Sequence, residues 1–253
     1  MTAPSSRGAG LPEAPGSLPV SPARASGWRE WGKSIAFAVV AWVLLSTFLI
    51  KAFRITSGSM ENTLLVGDVL WVWRPIFGVQ IPFTDVRLPA IRRPRHNDIV
   101  VFESVEAATP GLEVVKRVIG VSGDTLEMRD GTVFRNGVSL DESYVVHSPQ
   151  PGSDVVMREA LRRWQEPRLL GPHPDPYNPN RDNWGPVQVP PDSLFVMVDN
   201  RDDSWDGRAW GFLPLSHVHC KPVLIYYSWD PRSWRPVPLL TATRWSRLFT
   251  VPR

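Results

Sequence analysis

The chain has 253 residues, 43% hydrophobic and 21% charged, which excludes wholesale disorder and allows one large domain or two small ones. Lys plus Arg number 28 against 25 Asp plus Glu, and a net charge of +3 is too slight and too scattered to argue for nucleic acid. The single cysteine, Cys220, excludes an intrachain disulfide and a cysteine zinc cluster, while 26 prolines and 12 tryptophans point to irregular segments and half-wet apolar surface.

Residues 1–33 read as a disordered tail, rich in Pro, Gly, Ala and Ser up to Ser26 and ending in the charged, aromatic stretch Trp28 to Lys33. Ser34 to Ile50 then carries no charge. As a helix this run reaches about 26 Å, the short end of what spans a bilayer, and Ala52 and Phe53 extend it with Lys51 snorkelling. A single transmembrane anchor over 34–53 is therefore predicted. A cleaved signal peptide would need a small-x-small site, and KAFRITSGS offers no convincing one. Arg29 and Lys33 before the run balance Lys51 and Arg54 after it, so local charge leaves the orientation open.

From residue 54 to 230 the pattern is β-rich. Short runs at Val66 to Trp73, Asp98 to Phe102, Val114 to Val121, Leu194 to Val198 and Val223 to Tyr227 predict strands. Thr125 to Leu140 reads as a meander turned at Asp130-Gly131 and Asn136-Gly137, both suited to type I′ hairpins. Pro149 to Pro191 reads as a long loop with one helical piece near Val155 to Trp164, so 125–193 forms an inserted region. The fold class is mostly β and antiparallel behind an N-terminal helix. Residues 231–253 carry five arginines and no acid, with Trp234, Trp245 and Phe249 among them. They read either as a solvated tail or as a segment resting on anionic lipid.

Several candidate chemistries fail on spacing. His217, His219 and Cys220 look like ligands, but Cys220 points away from the other two on a strand and no third ligand is near. Asp202 to Gly207 mimics the start of a calcium loop, yet the twelfth position is Leu213 where a bidentate Glu is needed. No GxGxxG, P-loop, HExxH or GxSxG occurs, so neither metal nor cofactor is expected.

Three blocks remain: Ser57-Gly58-Ser59-Met60-Glu61-Asn62-Thr63-Leu64 with Gly67-Asp68-Val69, then Lys116 to Asp124 (KRVIGVSGD), then Val198 to Gly211 (VDNRDDSWDGRAWG). In this order behind an apolar run they resemble the bacterial type I signal peptidases, Ser–Lys membrane proteases whose blocks read SxSMxPTL, KRVxGxxGD and GDNRxxSxDSRxxG. Ile81-Pro82-Phe83 and Asp98 to Phe102 match more weakly. The resemblance spans roughly Arg54 to Trp229, with Asn62, Val198 and Gly207 standing where the family has Pro, Gly and Ser. Val198 beside the lysine would narrow or dehydrate the cleft.

The resemblance implies Ser59 as nucleophile and Lys116 as its general base. Bringing a lysine to pKa ~7–8 takes about 4 kcal/mol of bias toward the amine, for which Val114 and Val118 on the same strand face are the desolvating candidates. It further implies Ser204 as the hydroxyl orienting Lys116, the Ser59 N–H and Ser57 hydroxyl as oxyanion donors, and Asp206 with Arg208 as a brace. Asp199, Asn200 and Arg201 shape the last loop. The implied partners are secretory preproteins, cut after A-x-A sites, and a lipid bilayer, with the catalytic domain on the outer face of the plasma membrane. Trp71, Trp73, Ile76, Phe77, Val79, Ile81 and Phe83 divide between core strands and lipid headgroups. A narrow-substrate Ser–Lys maturation protease and a non-catalytic β-domain that binds exported chains are the alternatives.

Overall fold

The computed structural model describes residues 27–48, 50–78, 86, 88–106, 108–148, 154–174, 176–202 and 205–253. They divide at Trp42/Val43 into two compact units. The first holds most of helix α1, Gly27–Phe48. The helix starts before the uncharged run and stops short of its predicted end. Lys51, Ala52 and Phe53, expected to extend it, lie instead in strand β1, Ile50–Arg54. There Ala52 pairs with Trp71, and Phe53 packs against a buried apolar cluster, so a sheet partner and a core displace the helical continuation. Among the described residues no helix is long and apolar enough to cross a membrane.

The second unit is built on antiparallel sheets. β2 (Asp68–Trp73), β3 (Ile99–Glu103), β4 (Glu113–Val121), β9 (Ser193–Met197), β10 (Leu213–Pro214) and β11 (Val218–Ser228) join β1 in the order β1-β2-β11-β3-β4-β9-β10. A smaller sheet, β7-β6-β5-β8, comprises β5 (Thr125–Arg129), β6 (Thr132–Arg135), β7 (Val138–Ser139) and β8 (Trp184–Gln188). Its turns are those the dipeptides require: Asp130, Gly131, Asn136 and Gly137 all have positive φ, 48°, 78°, 54° and 79°. Period-two alternation sorts β2, whose Leu70 and Val72 are buried while Trp71 and Trp73 face outward. Ile76 and Phe77 are core residues, whereas Val79, Ile81 and Phe83 lie outside the described residues.

The proline-rich stretch is more ordered than its composition implies. It contains helix α2, Asp154–Gln165, at the expected helical piece, and β8, which the prolines hid. Pro186 is tolerated because β8 is an edge strand, where a missing N–H leaves no ladder bond unmade. The Trp164 indole of α2 donates to the Arg208 carbonyl at 2.9 Å and stacks edge-on against Phe212. This fastens α2 beneath α3, Gly207–Trp210.

Residues 231–253 are not a free tail. Arg247 reaches the Asp68 carboxylate at 2.6 Å and the Thr63 carbonyl at 2.9 Å, Arg244 donates to the Val66 carbonyl, and Thr250 bridges to Ile225. Composition concealed this, because the acidic partners sit elsewhere in the sequence. Gly67 shows how closely the segment leading into it packs. Its φ is +95°, and an added Cβ would lie 2.0 Å from the Trp229 carbonyl oxygen. Gly67→Ala is expected to cost about 3 kcal/mol or more, through combined backbone strain and overpacking. A thermal denaturation midpoint indistinguishable from that of the wild type would refute it.

Candidate active site

Ser59 sits in the turn that follows β1. Backbone bonds from Glu61 to Gly58 and from Leu64 to Met60, at 2.9 and 2.7 Å, shape the turn, and buried Met60 and Leu64 anchor it. Asn62 has φ +82°, a conformation closed to proline, and its amide donates to the Tyr144 carbonyl at 3.2 Å. The departure from the family's proline thus has a local cause in this turn. Lys116 comes from the middle of β4 and is 8% exposed. Its Nζ donates to Ser59 Oγ at 3.3 Å, and the Ser57 and Ser59 hydroxyls also stand 3.3 Å apart. Ser204 lies outside the described residues.

One buried carboxylate ties the three sequence blocks together. Asp199 accepts from Arg117 Nε and Nη2 at 2.8 and 2.7 Å, and from the Thr63 hydroxyl at 2.5 Å. Arg117 adjoins Lys116, Thr63 ends the serine turn, and the next N–H after Asp199, that of Asn200, donates to the Ser59 carbonyl at 3.0 Å. The serine and lysine are therefore positioned from behind by one network. Arg201 pairs with Glu142 at 2.6 Å and gives Nε to the Val198 carbonyl. Asp206 caps α3 and pairs with Arg208, both fully buried. Burial alone would raise the Asp206 carboxyl, but the Arg208 charge, its hydrogen bond and the Val198 and Arg208 N–H groups hold it below the usual carboxylate range. Its contribution to stability is present above the ordinary aspartate pKa and is lost as pH falls through the lower folded value.

The other departures are resolved by packing. Val198 is fully buried and is not among the residues that line either cleft beside the serine. A Cβ on Gly207 would meet the Val196 carbonyl at 2.7 Å and the Phe195 ring at 3.0 Å, which leaves no room for the family's serine.

Two clefts, about 250 and 170 Å³, meet at Ser59 and Lys116, which line both, as do Ser57, Leu112 and Val114. The larger is walled by Phe102, Glu106, Trp205 and Trp210. Burial raises the Glu106 carboxyl above its ordinary value, against a hydrogen bond from Trp205 and the charge of Lys116. Sequence reasoning missed this acid; it precedes the lysine block in a stretch without periodicity, and only the loop between β3 and β4 carries it into the cleft. Val114 lines both clefts, whereas Val118 is buried in the core. β9 pairs with β4 only from Arg117 onward, so among the described residues the Glu113 to Lys116 edge is open, as is the outer edge of β1. His219 lies between Glu103 and Glu113, and among the described residues no His, Cys, Asp and Glu group suits a metal.

A nucleophile-capable hydroxyl against a buried amine, beside open strand edges, suits peptide hydrolysis. The family described as "Signal peptidase, peptidase S26" matches residues 28–229. Signal peptidase I of Pseudomonas aeruginosa is 31% identical over 217 residues, 80% of this chain and 74% of that one. Signal peptidase I of Leptolyngbya laminosa is 31% identical over 223 residues, 85% and 89%, and signal peptidase I P of Bacillus subtilis subsp. natto 30% over 179 residues, 71% and 77%. Fold and site define a serine peptidase on an antiparallel β scaffold. The chain belongs to the signal peptidase I family, peptidase S26, whose activity is the removal of signal peptides.

The shared brace makes one expectation quantitative. Asp199→Asn leaves the Arg117 guanidinium buried and under-compensated, and is expected to cost about 3–5 kcal/mol. Chemical denaturation checks this; a loss below about 1 kcal/mol, the value of an exposed pair, would count against the brace.

Proposed function

We propose that Ser59 is the nucleophile and Lys116 the general base that cuts signal peptides from exported precursors. The observation that carries the assignment is the 3.3 Å contact from Lys116 Nζ to Ser59 Oγ where the two clefts meet. The neutral amine takes the Ser59 proton, Oγ attacks the scissile carbonyl, and the ammonium returns the proton to the departing amine. Water then releases the acyl group by the same exchange. The Ser59 N–H and the Ser57 hydroxyl receive the oxyanion. Ser204 orients the amine, an assignment that rests on the sequence blocks alone.

An extended precursor added between the open edges of β1 and β4 would direct alternate side chains to one face, about 7 Å apart. Residues one and three places before the cut then meet the two small clefts, which suits an A-x-A site. Ser59→Ala, Lys116→Met and Lys116→Arg are each expected to lower precursor cleavage by about 10²-fold or more, the last because a guanidinium stays protonated. Wild-type turnover should rise with pH as the amine becomes free. An active Lys116→Arg enzyme would eliminate the amine as base.

Membrane tethering is assigned to the uncharged run 34–50, with the N-terminus cytoplasmic and the β-rich unit on the extracytoplasmic face of the plasma membrane. Further contact with lipid is assigned to residues 231–253. Trp234, Leu240, Trp245 and Phe249 are exposed there, with Arg232 and Arg235 among them. Replacing Trp234, Trp245 and Phe249 with Ser is expected to slow cleavage in anionic vesicles and to leave it unchanged in detergent. An equal loss in both would argue for a purely structural role.

A further inference from the structure

Lys51 in β1 and Glu113 at the start of β4 form an ion pair at 2.5 Å. The two strands are not neighbours: β2, β11 and β3 separate them in the sheet, and among the described residues they share no backbone ladder. The ion pair therefore crosses a gap that hydrogen bonding leaves open. One wall of that gap is Phe53 to Ser57 and the other is Leu112 to Lys116. Ser59 and Lys116 stand at one end. Lys51 and Glu113 stand at the other, about 10 Å along β4 from the lysine.

The pair has supporting partners. Glu103 lies directly opposite Glu113 in the β3–β4 register, a juxtaposition of like charge. His219 of β11 approaches both carboxylates, at 3.9 and 3.7 Å. A hydrogen bond from His219 and the Lys51 contacts, working against burial, hold the Glu113 carboxyl down to about 2. Glu113 is thus an anion over the whole working range, and Lys51 is the cation that faces it from the opposite wall.

We propose that Lys51 and Glu113 are a clasp that sets the width of the slot receiving the precursor residues before the cut, so that they act on precursor binding and not on the chemical step. The proposal rests on the reading that the precursor lies between β1 and β4. A clasp of charge suits this place. A covalent or backbone closure would shut the slot, whereas an ion pair at its far end fixes the spacing of the walls and leaves the strand edges to an incoming strand. Both residues are positioning residues.

The test is steady-state cleavage of a preprotein by the full-length enzyme in detergent, with thermal melting in parallel. Lys51→Ala and the nearly isosteric Glu113→Gln are each expected to raise KM about two- to fivefold, the range for a pair of this exposure, with kcat unchanged. The charge-swapped double variant, Lys51→Glu with Glu113→Lys, should restore KM. High salt should raise the wild-type KM toward that of Glu113→Gln. KM indifferent to both single substitutions overturns the clasp, as does a fall in kcat at constant KM. If the double variant does not fold, the salt series decides, and a KM difference that salt leaves unaltered overturns the proposal. A wild type that fails to cleave overturns the Ser59–Lys116 reading, and the clasp with it.

Discussion

The buried Asp199 carboxylate is the constraint on which the site depends. It lies fully inside the protein, where an unpaired charge is prohibitively costly, and its oxygens are taken by Arg117 and Thr63. Satisfying that charge forces three segments to meet: the turn bearing Ser59, the strand bearing Lys116, and the loop after β9. Because Arg117 is the neighbour of Lys116, its side chain points to the opposite strand face. The amine thereby reaches the serine while the guanidinium holds the scaffold. The two adjacent cations thus serve different faces of one strand, Arg117 the Asp199 network and Lys116 the Ser59 contact.

The turn at Ser59 is fixed from two further directions. Arg247 bonds the Thr63 carbonyl and the Asp68 carboxylate, so residues far along the chain buttress the serine from below. The Asn200 N–H donates to the Ser59 carbonyl, which fixes the turn from the other side. A hydroxyl carried on a turn this confined has little freedom left to lose. Among the described residues β9 pairs with β4 only from Arg117 onward, and β1 is an outer strand of its sheet.

Local signals were legible in the sequence wherever local physics decides the outcome. Asp130-Gly131 and Asn136-Gly137 turn as their conformational preferences require, and β2 sorts its leucine and valine inward and its tryptophans outward. The helical piece near Val155 to Trp164 is α2. β1 was hidden because its apolar residues continue the pattern of the helix before it, and only pairing with β2 distinguishes them. β8 was hidden by Pro186, which the sequence shows as a breaker and the sheet accepts at its edge. The C-terminal arginines looked free because Asp68 and the Thr63 carbonyl lie 179 and 184 residues away.

The amino-acid sequence by itself determined the chemistry on offer: a serine block, a lysine block and an acidic, arginine-bearing block, in an order that marks the family. These are short-range patterns, and each residue type carries its reactivity wherever it stands. The tertiary structure decided which groups meet. The Ser59–Lys116 contact, the placing of Glu106 and Trp205 in one cleft wall, and the Lys51–Glu113 pair all join residues dozens of positions apart. Such contacts follow from sheet order and strand register, which arise from burying whole faces together and leave no local trace in the sequence.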